Sequence, residues 1–308
     1  MNRDKVKGMM LGIAVGDALG MPVETRSAAH IKEKYGRIEK YEEPTGHKYF
    51  DGKPAGDWTD DTVLSLAVAN SLIEAGTFDL DSQAKWNAAA LDQERGGWGK
   101  TTKEALQRIK DGVHWSEAGK NTEPNRGLGN GGAMKVSPLA GCLLAKKVPW
   151  SEAIDPYATA YCLNYEPGEF NFDRFVGVVT GMSRHGRNYS QPGENKDEDL
   201  TDRLEILFKH REYTPERINE ELKGGCYVYE SLPFSYMYFL RDPQGIDCVY
   251  DVVSNGGDTD SNGSMVGALV GALHGADVFP KHLLDGLKDR AIIEDTAERL
   301  CDTFGVDN

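Results

Sequence analysis

Glycine recurs at every fourth residue near the start of the chain, at Gly8, Gly12, Gly16 and Gly20. Residues i and i+4 share one face of a helix, so a helix here carries a stripe without side chains. The segment MVGALVGALHG repeats the device at Gly267, Gly271 and Gly275. Each glycine costs a helix roughly 1 kcal/mol relative to alanine. Another helix or a loop could approach such a stripe very closely. In a bilayer this spacing marks paired helices. Here both segments are short and flanked by polar residues, and no run is expected to reach spanning length. The spacing predicts close packing inside a core.

The rest of the chain reads as helices. Residues 60–75, DDTVLSLAVANSLIEA, carry apolar residues at 63, 64, 66, 67, 68, 72 and 73. That pattern fits a helix buried over much of its surface. Thr59 is its candidate N-cap and Gly76 its candidate C-terminal glycine. Helical patterns also cover 83–95, 101–110, 133–146, 152–163, 170–185 and 200–210. They continue over 226–240, 246–254, 261–275, 281–289 and 291–303. Period-two alternation with β-branched residues hardly occurs, so strands are not expected. The stretches 35–57 and 112–132 read as loops, and a polar insertion is expected around 186–225. No composition break divides the chain. The expectation is an all-α, compact, single domain over 1–308.

Charge and cysteine narrow the class of function. Lys and Arg total 35 against 49 Asp and Glu, a formal net charge of −14. A nucleic-acid binder wants a basic footprint, which this chain lacks overall. The five cysteines are odd in number and widely spaced, with no CxxC, against both a disulfide scaffold and a zinc ribbon. Reduced thiols in a cytoplasmic protein are expected. Residues 8–16, GMMLGIAVG, resemble a signal peptide, but three glycines dilute the apolar stretch and Asp17 follows directly.

Two carboxylate clusters open apolar helices. The first is Thr59-Asp60-Asp61-Thr62. Acids in a first turn also serve as caps and dipole partners, and for TDDT alone that is the stronger reading. Two adjacent carboxylates beside a buried helix nevertheless call for a counter-ion. The second is Gly256-Gly257-Asp258-Thr259-Asp260-Ser261. Its glycines permit a sharp turn, and Asp-x-Asp-Ser projects oxygens around a helix start. Hard divalent cations such as Mg²⁺ and Mn²⁺ want such oxygens. Residues 258–263 also match half of an EF-hand loop, but the twelfth position is Leu269 where a bidentate Glu belongs.

Gly127-Leu128-Gly129-Asn130-Gly131-Gly132 contains a formal G-x-G-x-x-G, with no strand before it and no Walker lysine after it. Its backbone N–H groups suit a phosphate, and a plain flexible loop is equally consistent. Glu24, taken alone, is an ordinary loop acid. Glu230 sits in an aromatic stretch and needs a partner if buried. HExxH and G-x-S-x-G are absent.

In order, GDALGMPVE (16–24), WTDDT (58–62), GNGGAMK (129–135), YESLP (229–233) and GGDTDS (256–261) resemble the ADP-ribosylglycohydrolase family of the dinitrogenase reductase-activating type. The resemblance runs from about Lys5 to Leu284. It implies an orthogonal multi-helix bundle of roughly a dozen helices around a site for two Mg²⁺ or Mn²⁺ ions. It implies release of ADP-ribose from a modified protein or small molecule by cleavage at C1″. By motif position Thr59, Asp60, Asp61, Asp258, Asp260 and Ser261 become metal ligands. Glu24 falls on a mobile acid near the metals, and Glu24 or Asp60 is the expected base. Gly129, Asn130, Gly131 and Gly132 fall on the loop for the ADP-ribose phosphates, and Trp98 borders the entry groove or packs in the core. No membrane partner is implied, and nucleic acid enters only as a modified acceptor.

Some positions depart from the family pattern. Leu163-Asn164 stands where Thr-His is common, Lys135 where Arg is commoner, and Leu128 where an aromatic can stack on the substrate. Gly97-Trp98-Gly99 and the spelling Asn130-Gly131-Gly132 lean toward Ser- or O-linked over strictly Arg-linked substrates. Two alternatives stand beside this reading. One is a metal-dependent phosphohydrolase of a nucleotide-like substrate. The other is a catalytically silent ADP-ribose binder or structural member.

Overall fold

The helices Arg3–Gly20 and Thr259–His274 cross antiparallel with their backbones in contact. Gly8 meets Gly271, Gly12 meets Gly267, Gly16 meets Gly263, and Gly20 meets Thr259. A Cβ on any of these glycines would fall within 3.0 Å of opposing backbone atoms. The two expected stripes therefore face each other. Gly263, outside the stripe read from the sequence, joins the crossing opposite Gly16. Gly275 ends its helix at φ +84, and its backbone also lies against Gly8.

The computed structural model describes residues 1–93, 95–120, 128–146, 154–186 and 200–307. Among them are sixteen α-helices and no strand, only the isolated bridges Ser27–Gly256 and Gly129–Tyr227. The first eight are α1 (Arg3–Gly20), α2 (Ala28–Lys34), α3 (Asp60–Ala75), α4 (Leu80–Ala90), α5 (Lys100–Lys110), α6 (Trp115–Ala118), α7 (Ser137–Lys146) and α8 (Ile154–Asn164). The rest are α9 (Phe172–Gly186), α10 (Leu200–Glu205), α11 (Pro215–Leu222), α12 (Val228–Arg241), α13 (Asp247–Ser254), α14 (Thr259–His274), α15 (Lys281–Gly286) and α16 (Arg290–Phe304). The all-α expectation holds.

Around the α1–α14 pair, α3, α8, α12, α13 and α16 form the inner wall. By length and composition alone, Arg3–Val23 could cross a membrane, contrary to the sequence expectation. Nearly all of it is buried inside this fold instead. Asn2 caps α1 by accepting the Lys5 N–H at 2.9 Å. The caps of α3 are those expected, Thr59 before it and left-handed Gly76 after it. The helix expected at 133–146 begins only at Ser137, because residues 130–135 are turns.

The expected insertion at 186–225 divides in two. Residues 187–199 lie outside the described residues. Residues 200–222 form α10, a 3₁₀ segment and α11, packed on α9 and α12 through buried Leu204, Leu207, Ile218 and Leu222. The α11 signal was present in the sequence: Thr214 accepts the Arg217 N–H as N-cap and Pro215 fills the first helical position. None of the five cysteines forms a disulfide.

Candidate functional site

The register of the glycine crossing decides what meets at its end. Pairing Gly20 with Thr259 sets the C-terminal end of α1 beside the N-terminal end of α14. The chain leaves α1 through a 3₁₀ turn, Met21–Val23, and reaches Glu24. Thr25 follows at φ +65, and its N–H donates to the Gly257 carbonyl at 2.8 Å. Gly257 returns an N–H to the Arg26 carbonyl at 3.2 Å. Gly256 sits at φ +79, where a side chain would also strike the Arg26 carbonyl. This short ladder fixes Glu24 beside Asp258. One oxygen each of Glu24, Asp258 and Asp260 lie within 4.8 Å of one another.

The TDDT cluster is anchored to the same place by Asp17, whose role the sequence reading passed over. Asp17 is fully buried on α1. Its Oδ1 accepts from the Thr59 hydroxyl at 2.9 Å, and its Oδ2 from the Thr62 hydroxyl at 2.6 Å and the Thr62 N–H at 3.1 Å. The Thr59 N–H also donates to it, at 3.0 Å. Asp17 thus satisfies free N–H groups at the start of α3 from a different helix. The signal was a lone carboxylate inside an apolar, glycine-striped helix, which burial obliges to find donors.

A third element completes the wall. The Asn130 N–H donates to the Cys226 carbonyl and the Val228 N–H to the Leu128 carbonyl, both at 2.9 Å. Asn130 Nδ2 then donates to Asp258 Oδ2 at 2.8 Å. Gly127 lies outside the described residues. On the facing side, the Asp60 N–H donates to the Gly96 carbonyl at 3.1 Å. Gly97, at φ +94, lies so close to the Asp60 carboxylate that a Cβ there would overlap Oδ1.

These pieces enclose a cavity of about 870 Å³. Glu24, Asp60, Asp61, Trp98, Gly129, Asn130, Gly131, Gly132, Asp258, Asp260 and Ser261 all line it. Thr59 does not: it is fully buried behind the surface, with its hydroxyl between Asp17 and Asp61. Trp98 does both things weighed for it, packing half-buried against the core and lining the cavity. Glu230 stands half-buried in the first turn of α12, outside the lining.

Six carboxylates share this place and repel. Burial first, then Asp258 and Asp17, pushes Glu24 up to about 7. Burial and Asp17 push Asp60 up to about 8. Burial raises Asp17 to about 6 against the pull of its threonine donors. Asp61 and Asp260 rise well above the carboxylate range, burial being the main cause in both. Burial raises Asp258 too, with hydrogen bonds from Asn130 and Ser261 working against it. Half-buried Lys135 donates to Asn87 Oδ1 at 3.3 Å, and burial lowers its ammonium while Asp60 opposes.

Such a cluster ionises fully only with a strong positive charge inside it. Two buried oxygens, Glu24 Oε2 and Asp61 Oδ1, have no hydrogen-bond partner. The donor set facing the cavity is all oxygen: carboxylates plus the hydroxyl of Ser261, with the Thr59 hydroxyl directly behind Asp61. Hard oxygens, orphaned lone pairs and excess negative charge together fit divalent cations of the Mg²⁺ or Mn²⁺ kind.

Comparison with known proteins gives the family. The sequence model of the ADP-ribosylglycohydrolase family matches residues 1–163 and 157–308. The chain is similar to ADP-ribosyl-[dinitrogen reductase] glycohydrolase of Rhodospirillum rubrum, 29% identical over 92% of this chain and 90% of that protein. It is similar to the ADP-ribosylarginine hydrolase Tri1 of Serratia proteamaculans, 26% identical over 96% of this chain and 79% of that one. Human ADP-ribosylhydrolase ARH3 is 24% identical over 90% and 87%. Among solved structures, an ADP-ribosylglycohydrolase-related protein complex shares the fold with a TM-score of 0.59 and 23% identity, covering 98% of both chains.

Proposed function

The chain belongs to the ADP-ribosylglycohydrolase family of glycosidic-bond hydrolases, and from that premise we propose how its own residues release ADP-ribose from a modified acceptor. The observation that carries the reading is the convergence of Glu24, Asp258 and Asp260 with Asp60 and Asp61 on the floor of one cavity. Asp60, Asp61, Asp258, Asp260 and Ser261 would hold two Mg²⁺ or Mn²⁺ ions there, with Thr59 joining them only if its hydroxyl turns from Asp17. When bound, such ions supply positive charge for the vicinal hydroxyls of the distal ribose and ease deprotonation of water.

The remaining chemistry belongs to side chains of this chain. Departure of the acceptor leaves oxocarbenium-like charge on the ribose, which the surrounding carboxylates stabilise. The bond from C1″ to the acceptor breaks with its electron pair going to the acceptor atom, and a water molecule adds at C1″. Glu24 takes one proton from that water and passes it to the departing acceptor. Its buried Oε2 has no hydrogen-bond partner and is placed to accept that proton. Asp60 is the second candidate for that proton. Asn130 keeps Asp258 in place through its amide. Its own N–H is held by Cys226, so Gly131 and Gly132 are the loop's donors toward the pyrophosphate.

The acceptor linkage is proposed to be Ser- or O-linked. Among the described lining residues every carboxylate belongs to the floor cluster, while Lys100 and Lys103 are part of the wall. A cationic guanidino acceptor would want a further carboxylate there. Since one relative is named an arginine hydrolase, the Arg-linked substrate is the essential control.

The test is a release assay with Mg²⁺ or Mn²⁺ on Arg-, Ser- and O-acetyl-linked ADP-ribose, beside an Asp60→Ala/Asp260→Ala variant. Metal-dependent ADP-ribose that vanishes in the variant supports the reading. AMP with ribose phosphate would instead mean a phosphohydrolase. ADP-ribose binding without release would mean a silent binder.

A further inference from the structure

We propose that Tyr49 is the contact for the acceptor side of the substrate, its ring packing against the side chain or peptide that carries ADP-ribose. This deepens the hydrolase reading and rests on it. An exposed ring alone is commonplace. Tyr49 is 58% exposed and lines the cavity that holds the carboxylates. What singles it out is its mounting.

The Tyr49 N–H donates to His47 Nδ1 at 3.2 Å. That nitrogen is therefore the acceptor, and Nε2 carries the proton. His47 Nε2 donates to the Glu24 carbonyl at 2.9 Å. One buried imidazole thus ties the backbone of Tyr49 to the backbone of Glu24. The imidazole stacks on Phe50 with centroids 4.9 Å apart, and both rings are buried. The Gly46 N–H closes the turn on Asp51 Oδ1 at 2.7 Å. Phe50 in turn abuts Gly96, in the loop that carries Trp98. Lys48 lies 4.8 Å over the Tyr49 ring.

The Tyr49 backbone is therefore held at a fixed place relative to the Glu24 backbone, and its ring stands at the wall of the same cavity. Glu24, as proposed above, works at C1″, the atom from which the acceptor departs. A ring coupled to Glu24 borders the leaving group, whereas Gly131 and Gly132 serve the pyrophosphate. A flat apolar surface there suits the stem of an acceptor side chain or the adjacent peptide.

The experiment compares wild type, Tyr49→Ala and Tyr49→Phe on an ADP-ribosylated peptide, with free ADP-ribose as product inhibitor. Tyr49→Ala is expected to raise KM for the peptide roughly three- to tenfold, the loss of one aromatic contact. Its inhibition constant for free ADP-ribose should stay at the wild-type value, and Tyr49→Phe should restore KM. A weakened ADP-ribose inhibition constant would overturn the placement and move Tyr49 to the nucleotide end. An unchanged KM would also overturn it. If wild type releases no ADP-ribose from any substrate, the hydrolase reading fails and this placement falls with it.

Discussion

Gly16 and Gly263 meet across the α1–α14 crossing with no side chain between them, and a methyl on either would overlap the backbone of the other. This contact fixes the register that sets Glu24 beside Asp258. Overpacking a core usually costs about 1–3 kcal/mol, because side chains can yield. Here only whole helices can yield, so Gly16→Ala is expected to reach or exceed the top of that range and to abolish activity. Gly177 in α9 has open space around it. Gly177→Ala should add roughly 0.5–1 kcal/mol of stability through helix propensity alone. Urea melts of the two variants check this. Similar shifts of the same sign would remove the case for a backbone-on-backbone crossing.

Asn130 holds Asp258 Oδ2 at 2.8 Å and is itself held by the Cys226 carbonyl. Asn130→Ala is expected to free the carboxylate to rotate. Loss of a residue that orients a ligand commonly costs roughly 10- to 100-fold in affinity or activity. That range is expected for the apparent Mg²⁺ or Mn²⁺ constant, with little change in folding stability. A Mg²⁺ titration of activity, read against a melt, distinguishes the two. An unchanged metal requirement would show that Asp258 is placed by its backbone alone.

Arg95 reaches the site indirectly. It pairs with buried Asp57 and with Asp289, and its guanidinium lies 3.7 Å over the Trp58 ring. Lys53 and Lys288 approach the same Asp57 carboxylate at 3.4 and 3.5 Å. The chain continues from Arg95 into Gly96 and Gly97, which pack on Asp60. Arg95→Ala should cost about 1–3 kcal/mol, since a buried acceptor loses its best donor while two lysines remain. It should also lower kcat/KM by roughly tenfold, a loss of about 1.4 kcal/mol in the transition state. Steady-state kinetics at a temperature where the variant is fully folded separate the effects. A stability loss with full activity would confine Arg95 to the fold.

The helices were legible because periodicity and caps are local. Thr59 and Gly76 bound α3 as their residue types require. The glycine stripes announced close packing, but not that they would meet each other, nor that Gly263 would extend the second one. Register is set by pairing at long range, which spacing does not encode. The same limit hid Asp17. As a sequence feature it interrupts an apolar run, and only the arrival of Thr59 and Thr62 gives its oxygens donors. His47 was unreadable for a like reason, because its partner is the carbonyl of Glu24. The carboxylate motifs, by contrast, lie at helix starts that one crossing brings together.

The metal-free chain is expected to be more stable in mild acid than in mild base. Asp17, Glu24 and Asp60 are raised to about 6, 7 and 8 in the fold. Unfolded carboxylates titrate near pH 4, roughly. Between those values the folded chain keeps protons that the unfolded chain has released, so stability falls as pH rises. The decline begins above about pH 4 and, for these three groups, runs to about pH 8, while Asp61 and Asp260, raised well above the carboxylate range, act in the same direction. Lys135, whose ammonium burial lowers, acts in the opposite direction. Added Mg²⁺ or Mn²⁺ competes with those protons, so its stabilisation should grow over the same window. Melting curves at about pH 5 and about pH 8, with chelator and with excess metal, check both halves. The chelated protein should melt several degrees lower at the higher pH, and metal should recover most of that difference. A chelated protein that gains stability toward pH 8 would mean that the carboxylates are not jointly buried, and the cation site would lose its physical basis.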